Sequence, residues 1–341
     1  MNLTPFVEPL ADFLARPVVR REALFRDASG TVVIPHPSIG MLYALRGAGK
    51  TMTALDLGLR VAAAAMWGPY VAEAMLQVES VHQRRRRVLF VDGEMPEADL
   101  QERLRAMTIA PDLARAQESC FLLGSDRLAA AGQELNLSKE GTRRSLTAIV
   151  EELGVDFMVL DNWVSLMHDL DENDNAAIGP VARWLARLRH DGASVLLVHH
   201  AGKEGQQRGA SAREDVLDYS IRLRPMRREN NQRSRWSLEW DKVRGGMPEP
   251  AKFHLQYDGG VLHYSRTLLE EALVRLRATP GQTADELAAS FGQNRAWLDR
   301  HGVIRELSEA GLIAGTSAQG GGRGRPSTRW SIAPLAPAAE F

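Results

Sequence analysis

Eight consecutive residues, Ala44-Leu45-Arg46-Gly47-Ala48-Gly49-Lys50-Thr51, have the types and spacing that cradle a phosphate. Gly47 and Gly49 let the backbone approach closely, so successive N–H groups turn inward around an anion at the positive end of the following helix. Lys50 would reach the β- and γ-phosphates of a nucleoside triphosphate, and Thr51 would give its hydroxyl to Mg²⁺. The one departure from the pattern G-x-x-x-x-G-K-S/T is Ala44, which stands where the first glycine is usual. Arg46, Gly47, Ala48, Gly49, Lys50, Thr51 and Met52 are therefore the candidate ATP-binding residues.

Hydrolysing a phosphoanhydride needs phosphate clamps, a metal, an oriented water and extra positive charge in the transition state. Three more polar groups stand at the carboxyl ends of apolar runs. Asp161, after Phe157 to Leu160, would hold Mg²⁺ together with Thr51. Glu94, after Val88 to Val91, would orient and polarise the attacking water, with Asp92 as its rival on the same strand. His200, ending the run from Ser194, would hydrogen-bond the γ-phosphate or the water. The Glu94 strand is expected beside the strand that enters the loop, and the His200 strand beside that of Asp161.

These groups need a scaffold, and the intervening sequence supplies one. Met41 to Leu45 reads as a strand, and an alanine-rich helix with Leu55, Leu59 and Ala62 on one side runs to about Trp67. Val88 to Val91, Cys120 to Leu123, Phe157 to Leu160 and Ser194 to Val198 are continuous apolar runs, as buried parallel strands require. Between them lie helical patterns carrying Leu100, Leu104 and Met107, then residues 139–153, then Val181, Trp184, Leu185 and Leu188 after the acidic stretch Asp171 to Asn175. Alternating strands and helices predict an α/β fold with a mostly parallel sheet and a site along its carboxyl edge. Residues 216–223, 235–243, 251–256 and 261–264 are strand-like without helices between them, and are expected as antiparallel additions, with a hairpin at Gly259-Gly260. Trp236, Leu238 and Trp240 alternate with Ser237, Glu239 and Asp241, which marks one buried face.

Residues 1–38, with Phe6, Leu10, Phe13 and Leu14 at helical spacing, are expected as a lead-in that packs on the core. Residues 39–265 would form the nucleotide-binding domain, 266–334 a second unit and 335–341 a tail. The second unit has three short helical patterns, with Thr283 and Asn294 as caps. A basic glycine stretch, Gly320 to Pro326, then separates Leu312-Ile313 from Thr328 to Ile332, which predicts a winged helix.

The chain has 341 residues, 44% hydrophobic and 25% charged, with a net charge of -1, so any nucleic-acid binding must come from local patches. Arg84 to Arg87 is read as a solvated strand entry. Arg295, Arg300 and Arg305 on the third helix, and Arg323, Arg325 and Arg329 on the wing, are the candidate duplex contacts. Cys120 is the only cysteine, which excludes an intramolecular disulfide and a cysteine-based zinc site and fits a cytoplasmic protein. No stretch reaches the ~18 apolar residues of a membrane span.

Leu45 to Thr51, Val91 to Pro96, Val159 to Asn162, Val198 to Lys203 and Arg208 to Ser211 resemble, in order and spacing, the RecA-type P-loop ATPases. Within that group they are similar to the RepA-type replicative helicases and related phage and bacterial AAA-family ATPases. The resemblance implies a RecA-like core over about residues 39–265, with Glu94 as catalytic carboxylate, Asp161 as the Walker B acid and His200 as phosphate sensor. It further implies a homo-oligomer, commonly a hexameric ring, in which a neighbour's basic residue completes the site. Lys242 and Arg244 match that trans position, with Arg222 as a second candidate. The loop 205–211, with Arg208, would face single-stranded DNA in the ring channel. The expectation is a Mg²⁺-dependent ATPase acting on DNA, a helicase-like motor of a mobile element. The alternatives are an ATP-switched DNA-binding regulator or recombination mediator, and an ATPase whose winged helix contacts only protein.

Overall fold

The computed structural model describes residues 3–18, 21–76, 86–167, 175–201, 216–226, 235–258, 261–318 and 327–333. Its first elements are α1 (Leu10–Ala15), β1 (Glu22–Arg26), β2 (Val32–His36), β3 (Ile39–Ala44), α2 (Lys50–Ala63), β4 (Val71–Ala72) and α3 (Glu73–Leu76). Then come β5 (Val88–Asp92), α4 (Glu97–Thr108), β6 (Cys120–Gly124), α5 (Ser125–Ala130), α6 (Glu140–Leu153), β7 (Phe157–Asp161), α7 (Asn175–His190) and β8 (Ser194–His200). Four strands follow without helices: β9 (Tyr219–Pro225), β10 (Arg235–Val243), β11 (Lys252–Asp258) and β12 (Val261–Arg266). The chain continues through α8 (Leu268–Ala278), β13 (Gln282–Thr283), α9 (Ala284–Ser290), α10 (Arg295–Arg300), α11 (Val303–Glu309), β14 (Ile313–Ala318) and β15 (Ser327–Ile332).

One sheet of nine strands, in the order β12-β11-β10-β9-β3-β8-β7-β5-β6, organises the chain from Ile39 to Arg266. From β9 to β6 every neighbouring pair is parallel, and β10, β11 and β12 are antiparallel additions. The strands β3, β5, β7 and β8 are apolar on both faces because each face is covered. One apolar cluster packs α2 and α4 against one side, and a second packs α6 and α7 against the other. Gly40 is required on β3 because a Cβ there would fall 1.9 Å from the Tyr219 ring of the adjacent strand.

The sequence expectation for β9 is corrected: it runs parallel to β3, pairing Gly40 with Tyr219 and Tyr43 with Arg222, and only the later three strands are antiparallel. The Glu94 strand is also not beside the loop strand, since β7 and β8 lie between β5 and β3. The helix after the loop stops at Ala63 rather than near Trp67, because Ala64 takes a left-handed backbone (φ 54°). Trp67 instead enters a cluster of rings with Phe25, Tyr70, Trp240 and Phe253, which seats β1 against the antiparallel strands.

Beyond β12, residues 268–332 bury their own apolar cluster, including Leu276, Leu287, Leu298 and Leu307. Thr283 and Glu286 form the reciprocal cap that starts α9, and Asn294 caps α10. The expected single third helix is two, α10 and α11, broken at Gly302 (φ 65°). A small sheet in the order β13-β15-β14 closes this unit. Residues 3–18 depart from expectation most: Phe6, Leu10, Phe13 and Leu14 are 59–79% exposed and do not pack on the core. The Gly259-Gly260 turn, residues 171–174 of the acidic stretch, and Arg84 and Arg85 lie outside the described residues. Arg86 pairs with Glu22 and Asp156, so this part of the run serves the strand entry. Among the described residues, no helix is long and apolar enough to cross a membrane.

Candidate nucleotide site

The loop after β3 turns on Gly47 (φ 72°) and Gly49 (φ 75°), conformations that side chains rarely adopt, and delivers Lys50 at the first position of α2. Lys50 is buried, and its Nζ donates to the carbonyls of Leu45 (3.0 Å) and Ala44 (3.3 Å), so the ammonium is folded back over the loop. Burial lowers its pKa, opposed by the nearby Asp161 and Glu94 carboxylates.

Four of the parallel strands bring their ends to the same edge. Thr51 donates its hydroxyl to Asp161, at the end of β7. Burial pushes the Asp161 carboxyl up to about 6, and its Oδ2 is sealed from solvent without a hydrogen-bond partner. A hydroxyl meeting a carboxylate with an unsatisfied oxygen is a donor set suited to Mg²⁺, which takes one or two protein oxygens beside the substrate phosphates. Among the described residues there is no cluster of three or more His, Cys, Asp or Glu that would suit a more fully protein-bound ion.

Asp92 and Glu94, the two rivals, have different surroundings. Asp92 is buried at the end of β5, and its Oδ1 accepts from the N–H groups of Glu94 (3.1 Å) and Met95 (2.6 Å). Desolvation raises its pKa. It shapes the turn that presents Glu94. Glu94 accepts from the side-chain amide of Asn162, whose own oxygen accepts from Val164 N–H (3.0 Å) and Ser165 N–H (3.1 Å). The turn is further tied to β7 by Gly93 N–H donating to the Asp161 carbonyl at 2.7 Å. His200 ends β8, in register with Ala44 of β3 and beside β7, and its Nδ1 is buried without a partner. Burial, then the nearby Lys50 charge, lowers the His200 pKa, so the imidazole is neutral at pH 7.

These groups line one open cleft of about 700 Å³, together with Arg46, Gly47, Ala48, Gly49 and Met52. Asn162, Arg103, Trp236 and Tyr257 also line it, and sequence reasoning assigned none of them to the site. Trp236 presses on the loop so closely that a Cβ at position 49 would lie 2.7 Å from its ring. Its place in the strand alternation predicted burial, but not what it would be buried against.

The structure does not bring the candidate trans residues into this cleft. Trp236 pairs with Pro225 at the cleft edge, whereas Lys242 and Val243 pair with Ser220 and Tyr219 at the opposite edge. Six residues of strand separate Lys242 from Trp236, roughly 20 Å at ~3.3 Å per residue, and Arg244 lies beyond. Arg222 sits 6.0 Å over the Tyr43 ring, away from the cleft lining. Of the candidate DNA contacts, Arg300 and Arg305 are exposed. Arg295 lies 3.6 Å from Asp285 and 3.5 Å from Asp299, and Arg329 donates to the Gly281 carbonyl at 2.7 Å. Arg208, Arg323 and Arg325 lie outside the described residues.

Residues 9–206, more than half of the chain, match the family model described as AAA domain. The structure is similar to that of a KaiC-like protein from the hyperthermophilic archaeon Pyrococcus horikoshii OT3. The TM-score is 0.51 at 15% sequence identity, over 73% of this chain and 100% of that chain, a likeness of fold. No curated protein matches the sequence.

Proposed function

Since the chain belongs to the AAA domain family and has the RecA-type P-loop ATPase fold, we propose that it is a Mg²⁺-dependent ATPase acting on DNA, a helicase-like motor of a plasmid, phage or other mobile element. The observation that carries the reading is the meeting of Lys50, Thr51, Asp161, Glu94 and His200, from four separate parts of the chain, at one sheet edge. Lys50 and the loop N–H groups would clamp the phosphates, and Thr51 and Asp161 would hold the metal. The bound ion would draw charge from the β- and γ-phosphate oxygens. Glu94, steadied by Asn162, accepts a hydrogen bond from the attacking water and holds it in line. Neutral His200 offers one ring nitrogen as donor to the γ-phosphate, and its loss on hydrolysis would be felt by the segment that follows β8. Lys242 and Arg244, remote from their own cleft, would supply transition-state charge to a neighbour's in a homo-oligomeric ring.

Helices α8, α9 and α10–α11 with the strand order β13-β15-β14 support reading residues 266–334 as a winged helix. Exposed Arg300 and Arg305 favour duplex DNA as its partner over protein alone. The alternative, an ATP-switched DNA-binding regulator or recombination mediator, uses the same cleft without unwinding. ATP hydrolysis measured with and without single-stranded DNA, alongside strand displacement on a forked duplex, separates the two. A motor shows strong stimulation and displacement. ATP-dependent duplex binding with neither would establish the regulator.

A further inference from the structure

Among the described residues, three cations line the nucleotide cleft: Lys50, Arg103 and Arg46. Lys50 is buried and folded onto the loop carbonyls, and Arg103 stands on α4, where its charge acts on Asp92. Arg46 differs from both. It sits on the phosphate loop itself, at the corner of a turn closed by Ala48 N–H donating to the Leu45 carbonyl at 3.3 Å. Gly47 (φ 72°) takes the third position of that turn, where a positive φ suits glycine. Arg46 is exposed there and makes no hydrogen bond or ion pair with any described residue. The space beside it is open, since a Cβ on Gly47 would meet nothing within 4 Å.

The strand that feeds the loop sets what Arg46 faces. Ala44, two residues earlier, is in register with His200 at the end of β8, and Ala201 N–H donates to the Ala44 carbonyl at 2.8 Å. Arg46 therefore emerges at the His200 end of the cleft, and its charge is felt at both His200 and Lys50. Two cations held close on one short loop repel each other, and a polyanion between them turns that repulsion into a clamp.

We propose that Arg46 is a catalytic residue acting in cis, its guanidinium fork holding the γ-phosphoryl oxygens of the nucleotide bound by its own loop. In the step, the water oxygen bonds to the γ-phosphorus as the bond from that phosphorus to the bridging oxygen breaks. The electron pair of the broken bond leaves with ADP, and the water proton passes to Glu94 and on to solvent. Arg46 meets the charge spread over the γ-oxygens, before Lys242 or Arg244 of a neighbour adds to it. Assembly then raises hydrolysis but does not create it. The inference rests on the reading of the protein as an ATPase, and assigns the transition-state cation to the chain's own loop.

The test compares Arg46→Ala and Arg46→Lys with the wild type in steady-state hydrolysis, equilibrium ADP affinity, and trapping of ADP with aluminium fluoride, a mimic of the phosphoryl group in transfer. Arg46→Ala should lower kcat by about 10²–10³, weaken trapping by at least about tenfold, and leave ADP affinity within about threefold. Arg46→Lys keeps the charge without the fork and should recover part of the loss. An equal mixture of Arg46→Ala and Glu94→Gln should stay inactive, because every cleft then lacks one of the two groups. Recovered hydrolysis in the mixture would overturn the assignment in cis, since a neighbour would be supplying the arginine. Turnover of Arg46→Ala near the wild-type value would overturn the proposal. So would an ADP affinity that falls as far as kcat, which would make Arg46 a residue that shapes the loop. A wild type that neither binds nor hydrolyses ATP would overturn the ATPase reading itself, and this inference with it.

Discussion

At the scale of single residues, the two carboxylates that end β5 have separate tasks. Both line the cleft, but Asp92 Oδ1 is occupied by two backbone N–H groups of the turn, while Glu94 is held by the Asn162 side-chain amide. Glu94→Gln should therefore keep nucleotide affinity within a few-fold and lower turnover by about 10²–10⁴, the usual contribution of a positioned base. Single-turnover hydrolysis beside equilibrium binding checks this, and turnover near the parent value would move the role elsewhere. Asp161 gives a pH-dependent prediction. Its folded pKa of about 6 lies above the ordinary 3.8, so its favourable contribution is fully present below pH 3.8 and lost as pH rises through about 6. Lys50, Asp92 and Glu94 face it, and their charges are part of that balance. At pH 8, free of ligand, the buried carboxylate costs up to roughly 3 kcal/mol. Asp161→Asn should raise the melting temperature at pH 8, have little effect at pH 4, and abolish Mg²⁺-dependent hydrolysis. Melts across that range decide it; equal shifts at both ends would rule out burial of charge as the cause.

At the scale of elements, the loop is held from two sides. Its own backbone requires φ 75° at Gly49, and β10 places the Trp236 ring against the same atom. A methyl at position 49 thus meets both a backbone penalty of ~1–2 kcal/mol and a ring that is itself buried in the apolar core. Gly49→Ala should lower nucleotide affinity at least tenfold, and Gly49→Ala/Trp236→Leu should recover part of the loss. Isothermal titration of the four proteins in that cycle measures the coupling, and strict additivity would show that the ring does not set the loop.

At the scale of the whole molecule, a net charge of -1 leaves any DNA affinity to local fields. Within residues 266–334, Arg295, Arg300, Arg305 and Arg329 are all exposed, and Arg295 and Arg329 have carboxylate neighbours that already offset part of their charge. If Arg300 and Arg305 each neutralise one phosphate, Arg300→Ala/Arg305→Ala should reduce the slope of log affinity against log salt by about 1.8. ATP hydrolysis without DNA should not change. Fluorescence anisotropy on a duplex across a salt series reads the slope, and an unchanged value would favour a protein partner for this unit.

The phosphate loop, the alternation of strands and helices, and the placing of Asp161, Glu94 and His200 at strand ends were legible in the sequence. Each is a local property: glycine spacing fixes a turn, and continuous apolar runs fix buried strands with polar groups where they emerge. The helix caps at Thr283 and Asn294 were legible for the same reason. Strand order was legible only in part: the His200 strand lies beside that of Asp161 as expected, but the rest depends on which faces the helices cover rather than on any residue's neighbours in the chain. Only the tertiary structure placed β7 and β8 between Glu94 and the loop, and turned β9 parallel. Only it joined Asn162 to Glu94 and brought Trp236, 187 positions along, onto Gly49. It also left Phe6, Leu10, Phe13 and Leu14 uncovered: helical spacing marks a face that is apolar, and only packing decides what that face meets.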